Sequence, residues 1–128
     1  MIVDASALLA VVLAEDDAER FARAMIAARD PLISVVNYWE AAVRVDRSDQ
    51  AVTLHRFDTL MELTGLRIAP VTTQQATLAR RAYAAFGRGR HPAGLNMGDC
   101  FAYALARETG RALLFKGDDF TRTDMEAA

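Results

Sequence analysis

The chain has one cysteine, Cys100, so no disulfide can close within it and a reducing compartment is its natural home. No apolar stretch approaches ~18 uninterrupted residues, which argues against a membrane-spanning helix. Residues 1–14 lack the positive segment and small-residue cleavage site of a secretory signal, because a strand and an acid occupy that place. A cytoplasmic protein is the expectation. Lysine is nearly missing as well: Lys116 is the only one among 15 Lys and Arg residues. The net charge of −2 forecasts no nucleic-acid partner by itself. The arginines do cluster, at Arg80, Arg81, Arg88 and Arg90, and a local patch of guanidinium forks can grip phosphate against an acidic background. His55 has no companion at ligand spacing. No repeat, low-complexity run or linker divides the chain.

What is present is 52% hydrophobic residues over 128 positions, enough for one core and one domain spanning 1–128 without metal or disulfide staples. Met1-Ile2-Val3-Asp4-Ala5-Ser6 reads as a short buried strand that delivers a carboxylate, Asp4, to its C-terminal end. Ser6 stands where an N-cap belongs, before the apolar run Ala7–Ala14. Glu15-Asp16-Asp17 opens a second helix and Asp30-Pro31 stops it. Leu32–Val35 reads as strand two, followed by a helix over Val36–Val45 capped by Ser34 or Asn37, with Tyr38, Ala41, Ala42 and Val45 on one face.

Residues 48–64 form an amphipathic helix ended by Gly65, Leu66–Val71 a third strand whose Pro70 marks an end or an edge, and Thr72 or Thr73 caps a helix reaching Phe86. Gly87–Met97 is irregular, rich in glycine and cations. Gly98–Ala106 is apolar nearly all round, the pattern of a buried helix, with Asp99 its single acid. Ala112–Phe115 makes strand four, and Lys116–Phe120 turns at its end. Strand and helix alternate, which predicts a three-layer α/β/α fold with a central, mainly parallel sheet of four to five strands.

Parallel sheets bind ligands beyond the carboxyl ends of their strands. Topology brings four acidic points there: Asp4, Glu40, Asp99, and Asp118 or Asp119. Singly each is an ordinary cap, dipole complement or solvated acid. Together they would repel, and some would stay protonated at neutral pH unless a cation joined them. An all-oxygen donor set selects Mg²⁺, with Mn²⁺ as a substitute, over zinc. Such a centre suits phosphodiester hydrolysis, with one ion or with two roughly 3.5–4 Å apart.

Four segments then carry a resemblance: Ile2–Leu8, Asn37–Ala42 with Glu40, Leu95–Ala106, and Leu113–Phe120. The chain resembles the PIN-domain nucleases, specifically the VapC-type toxins of bacterial toxin–antitoxin pairs, over residues 2–124. The resemblance implies a Mg²⁺-dependent endoribonuclease that is cytoplasmic, dimeric, and held inactive by a small VapB-type antitoxin whose tail covers the acidic site. It implies that Asp4, Glu40 and Asp99 are catalytic metal ligands, with Ser6 and Asn96 supporting them; after strand four, where Phe115, Lys116 and Gly117 depart from the family's pattern, Asp118 is taken as the fourth ligand and Asp119 as a supporting acid that caps the last turn. Arg88, Arg90 and His91 are expected to steer the RNA backbone. Two other folds that place an aspartate after strand one are disfavoured. A haloacid-dehalogenase-type phosphatase needs a second aspartate where Ser6 stands, and a response-regulator receiver needs one where Pro70-Val71 stands. The rival from another class is a PIN-like module that binds RNA or protein without cutting.

Overall fold

Strand β1 is only Ile2–Val3, yet both residues are fully buried because a neighbour lies on each side. A computed structural model describes all 128 residues, Met1–Ala128. Its sheet has the order β3-β2-β1-β4, every pair parallel, with β2 at Leu32–Ser34, β3 at Arg67–Ala69 and β4 at Leu113–Leu114. Ile2 pairs with Leu32 and with Leu113, and the amide of Asp4 donates to Leu114 O at 2.9 Å. That last bond pins Asp4 to the strand end.

Successive strand residues point to opposite faces, so the sheet divides the core in two. Val3, Ile33 and Leu114 face helices α1 (Ala5–Val12), α2 (Ala18–Ala27), α3 (Val35–Asp46) and α4 (Ala51–Thr64), where Leu8, Phe21, Met25 and Phe57 close the packing. Ile2 and Leu113 face α5 (Thr73–Phe86) and α6 (Met97–Thr109), where Ala79, Ala82, Leu95 and Leu105 do the same. The α/β/α expectation is met with four strands. β3 stops before Pro70 and lies at one edge, as the proline required. At the other edge Leu113 bridges Ala127, so the C-terminal residues cover β4.

Two boundaries differ from the sequence reading in ways that bear on the site. The first helix begins at Ala5 rather than Ala7, because Asp4, not Ser6, is its N-cap and accepts the Ser6 amide at 2.9 Å. The third begins at Val35 under Ser34, so Asn37 lies inside it rather than capping it. Its buried stripe is Asn37, Ala41 and Val45, which are spaced by four.

Candidate active site

Asp4 and Asp99 reach one cleft from opposite sides of the sheet edge. It has a volume of about 180 Å³, and its polar wall consists of Asp4, Ser6, Glu40, Arg44, Asn96, Asp99, Lys116 and Asp119. Asp4 arrives on the β1–α1 turn and is 4% exposed. Its Oδ2 accepts from both the amide and the hydroxyl of Ser6, and its Oδ1 accepts from Asn37 Nδ2 at 3.0 Å. Ser6 Oγ in turn accepts the Lys116 amide at 3.0 Å, tying the turn to the segment after β4. Ser6 therefore supports Asp4 directly, from within the helix rather than from its cap.

Asp99 arrives on the first turn of α6 and is 9% exposed. It forms a capping box with Asn96: Asp99 Oδ2 accepts the Asn96 amide at 2.8 Å, and Asn96 Oδ1 accepts the Asp99 amide at 2.9 Å. Only Oδ2 is used, which leaves Oδ1 to the cleft. Glu40 comes from the second turn of α3 and keeps much of its surface in solvent. Its carboxylate lies over Gly98: a Cβ on that residue would stand 2.3 Å from Glu40 Oε2. A methyl there would displace the end of the Glu40 side chain, so the glycine lets that carboxylate lie against the first turn of α6.

The electrostatics show what the cleft demands. Burial raises the Asp4 carboxyl above its ordinary range against the lowering effect of the Ser6 bonds, and the nearby Asp119 charge adds to the rise. Asp99 is pushed up to about 7, chiefly by burial and then by the charges of Asp4, Asp119 and Glu40. Glu40 is raised by burial and by Asp4, with Arg44 opposing. Cys100, next in sequence to Asp99, is raised to about 11 by burial, so it is neutral core filler and no nucleophile. These acids cannot all ionise together in the absence of a counter-charge.

The protein supplies little of that charge. Lys116 Nζ is taken by Glu15 and by Asp17 at 2.8 Å, which leaves Arg44 as the cation of the wall that no acid pairs. The donors fit a hard divalent ion: all are oxygens, two are buried carboxylates, and hydrogen bonding leaves free lone pairs on both. No three acids are gathered tightly enough to cage an ion by themselves.

The lining of the cleft differs from the expected set of residues. The fourth acid at the cleft is Asp119, not Asp118. Gly117 adopts a left-handed φ of +95° in this turn; Asp118 and Asp119 are both exposed, and of the two only Asp119 lines the cleft, while the Asp118 carbonyl accepts from the Thr121 amide and hydroxyl. Asp119 does precede the final 3-10 turn, Phe120–Arg122, but makes no capping bond there. Arg88, Arg90 and His91 do not line the cleft. His91 Nδ1 accepts the Ala93 amide at 3.1 Å and its ring meets Phe86 edge-on, so it braces its own loop, while Arg90 lies over the Tyr83 ring.

Sequence reasoning also missed two residues of the site. Arg44 stands four positions after Glu40, one helical turn on, and that spacing was the available signal. Asn37 stands four positions before Ala41 on the buried stripe, where a polar residue calls for a partner.

Comparison with known proteins identifies the family. The sequence model of the PIN domain matches residues 1–126. VapC ribonuclease Mb0625 of Mycobacterium bovis is 45% identical over 129 residues, covering 100% of this chain and 97% of the relative. Ribonuclease VapC30 of Mycobacterium tuberculosis is 42% identical over 125 residues, with 98% and 95% covered. Ribonuclease VapC42 of the same species is 41% identical over 129 residues, with 100% and 98% covered. With near full-length matches of this kind, the chain belongs to the PIN-domain family, among its VapC ribonucleases.

Proposed function

We propose that the chain is a Mg²⁺-dependent endoribonuclease, with Mn²⁺ able to substitute, and the toxin of a toxin–antitoxin pair. The observation that carries this reading is the burial of Asp4 and Asp99 against one cleft with Glu40 and Asp119 at its rim. The relatives' names add the substrate, RNA. Asp4 and Asp99 would hold the ion, and Glu40 and Asp119 would take its waters. When bound, the ion supplies Lewis acidity toward a phosphate oxygen and toward the attacking water. Ser6 and Asn96 keep the two buried carboxylates in place. Arg44, on the same wall, meets the phosphodiester and offsets its charge.

The reading extends to a VapB-type antitoxin, a homodimer and a cytoplasmic setting. Exposed apolar groups beside the cleft support protein partners: Trp39 and Met97, 63% and 66% exposed, border a cavity of about 270 Å³ with Glu40 and Asn96. Tyr83, Met97 and Phe101 line a further groove of about 300 Å³, suited to a second copy. No helix is long and apolar enough to cross a membrane.

The test is incubation of a defined RNA set with wild type and Asp4→Asn, in Mg²⁺ and in chelator. Cleavage by wild type in Mg²⁺ alone, lost in the variant, is expected. Cleavage in chelator, or full activity in Asp4→Asn, overturns the reading. RNA that is bound but left intact in Mg²⁺ selects the non-cutting PIN-like module instead.

A further inference from the structure

Asn37 is fully buried on α3, belongs to no set of acids, and bonds to both halves of the site. Its Nδ2 donates to Asp4 Oδ1 at 3.0 Å and to the carbonyl of Gly98 at 3.2 Å. Both acceptors are oxygens, so the amide can be oriented only with its nitrogen toward them. Its Oδ1 then remains buried with no hydrogen-bond partner. A residue present for packing alone would not carry that orphan acceptor, since leucine fills a similar volume without it.

The bonds at Asp4 show what Asn37 adds. Ser6 donates twice to Oδ2 and so saturates that oxygen. Asn37 is the one side chain that donates to Oδ1. A carboxylate anchored at one oxygen still turns about its terminal torsion, whose well is broad. Anchored at both, its plane is set. The same amide holds Gly98, the residue before Asp99, so one side chain ties the β1–α1 turn to the first turn of α6.

We propose that Asn37 is a positioning residue that fixes the Asp4 carboxylate and locks it in register with Asp99, so that both present to one cation. The inference rests on the metal-dependent reading above and deepens it. Asn37 touches neither the ion nor RNA in this account; it acts through Asp4.

The test is calorimetric titration of MnCl₂ into RNA-free wild type, Asn37→Leu and Asn37→Ser, with thermal unfolding of each in chelator and RNA cleavage as a function of substrate and metal. Removing a group that orients a metal ligand typically weakens affinity about 10–100-fold, and that loss is expected for Asn37→Leu, with a smaller one for Asn37→Ser, which keeps a donor. In chelator both variants should still unfold cooperatively, with Asn37→Leu melting below wild type because the buried Gly98 carbonyl loses its donor. At saturating Mn²⁺ the KM for RNA should be unchanged and kcat reduced. A folded Asn37→Leu that binds Mn²⁺ within twofold of wild type overturns the inference alone; if it does not fold, Asn37→Ser with unchanged affinity does so. Wild type that binds no Mn²⁺ overturns the metal reading and this inference with it.

Discussion

Replacing Asp99 by Asn should make the metal-free protein more stable while it destroys the site. Asn keeps the side-chain oxygen that accepts the Asn96 amide, so the capping box survives, and it removes one buried charge. The Asp99 carboxyl sits at about 7 in the native state against 3.8 ordinarily. A raised carboxyl means that the native state holds the proton more tightly than the unfolded chain. Its contribution is therefore neutral at acid pH, grows more unfavourable as pH climbs from about 4 to about 7, and levels off above that. Three units at 1.36 kcal/mol each amount to about 4 kcal/mol by about pH 7.5. At pH 5 only the first part of the window has been crossed, and about 1.5 kcal/mol remains.

For a chain of this size 1 kcal/mol moves the melting temperature by roughly 3–5 °C. Thermal unfolding followed by circular dichroism in chelator should therefore show Asp99→Asn melting on the order of 10 °C above wild type near neutrality, with a gap less than half as large at about pH 5. Adding Mg²⁺ should raise wild type only, since stabilisation by a ligand follows its occupancy of the native state. A variant less stable than wild type near neutrality, or a gap that does not depend on pH, would refute the reasoning: Asp99 would then be a structural cap and no more.

Gly98→Ala places a methyl where Glu40 Oε2 now lies and should push that carboxylate out of the cleft, lowering cleavage while the melting temperature holds or rises, because alanine favours a helix by up to about 1 kcal/mol over glycine; unchanged kinetics would show Glu40 to be idle. Arg44→Gln should weaken RNA binding and reduce its salt slope by about 1, whereas Arg88→Gln with Arg90→Gln, which lie off the cleft wall, should do less; equal slopes in all three proteins would remove Arg44 from the phosphate contact. Ser6→Ala removes the hydroxyl bond to Asp4 Oδ2 and the link to the Lys116 amide while the backbone amide of residue 6 still donates to Oδ2, and should lower Mn²⁺ affinity measured by calorimetry by about 10-fold; wild-type affinity would leave Asp4 without need of the Ser6 hydroxyl.

The parts of the site that were legible in the sequence are those set by local rules. Asp4 could be placed because a buried strand followed at once by a helix leaves the intervening acid at the strand end, and Asp99 because it is the single acid in the first turn of a helix that is apolar nearly all round. The parallel order followed from the alternation of strands with helices long enough to cross back. The rest depended on distant partners. Which of Asp118 and Asp119 lines the cleft depends on the course of the turn after β4, where Gly117 is left-handed, and residue types alone do not set that course. Asn37 read as a cap because asparagine favours caps; it lies inside α3 because Ser34 caps that helix and Asp4, 33 residues earlier, accepts its amide. The cations of the Gly87–Met97 loop read as a site feature, yet His91 is used up in bracing the loop against Phe86.

All of this depends on Asp4 and Asp99 accepting the same ion, and diffraction at the manganese absorption edge from crystals grown in Mn²⁺ tests that directly. The account predicts one anomalous peak within ligating distance of both Asp4 Oδ1 and Asp99 Oδ1, absent from Asp99→Asn crystals under the same conditions. A saturated crystal with no peak there, or with a peak held by only one of the two carboxylates, would contradict it.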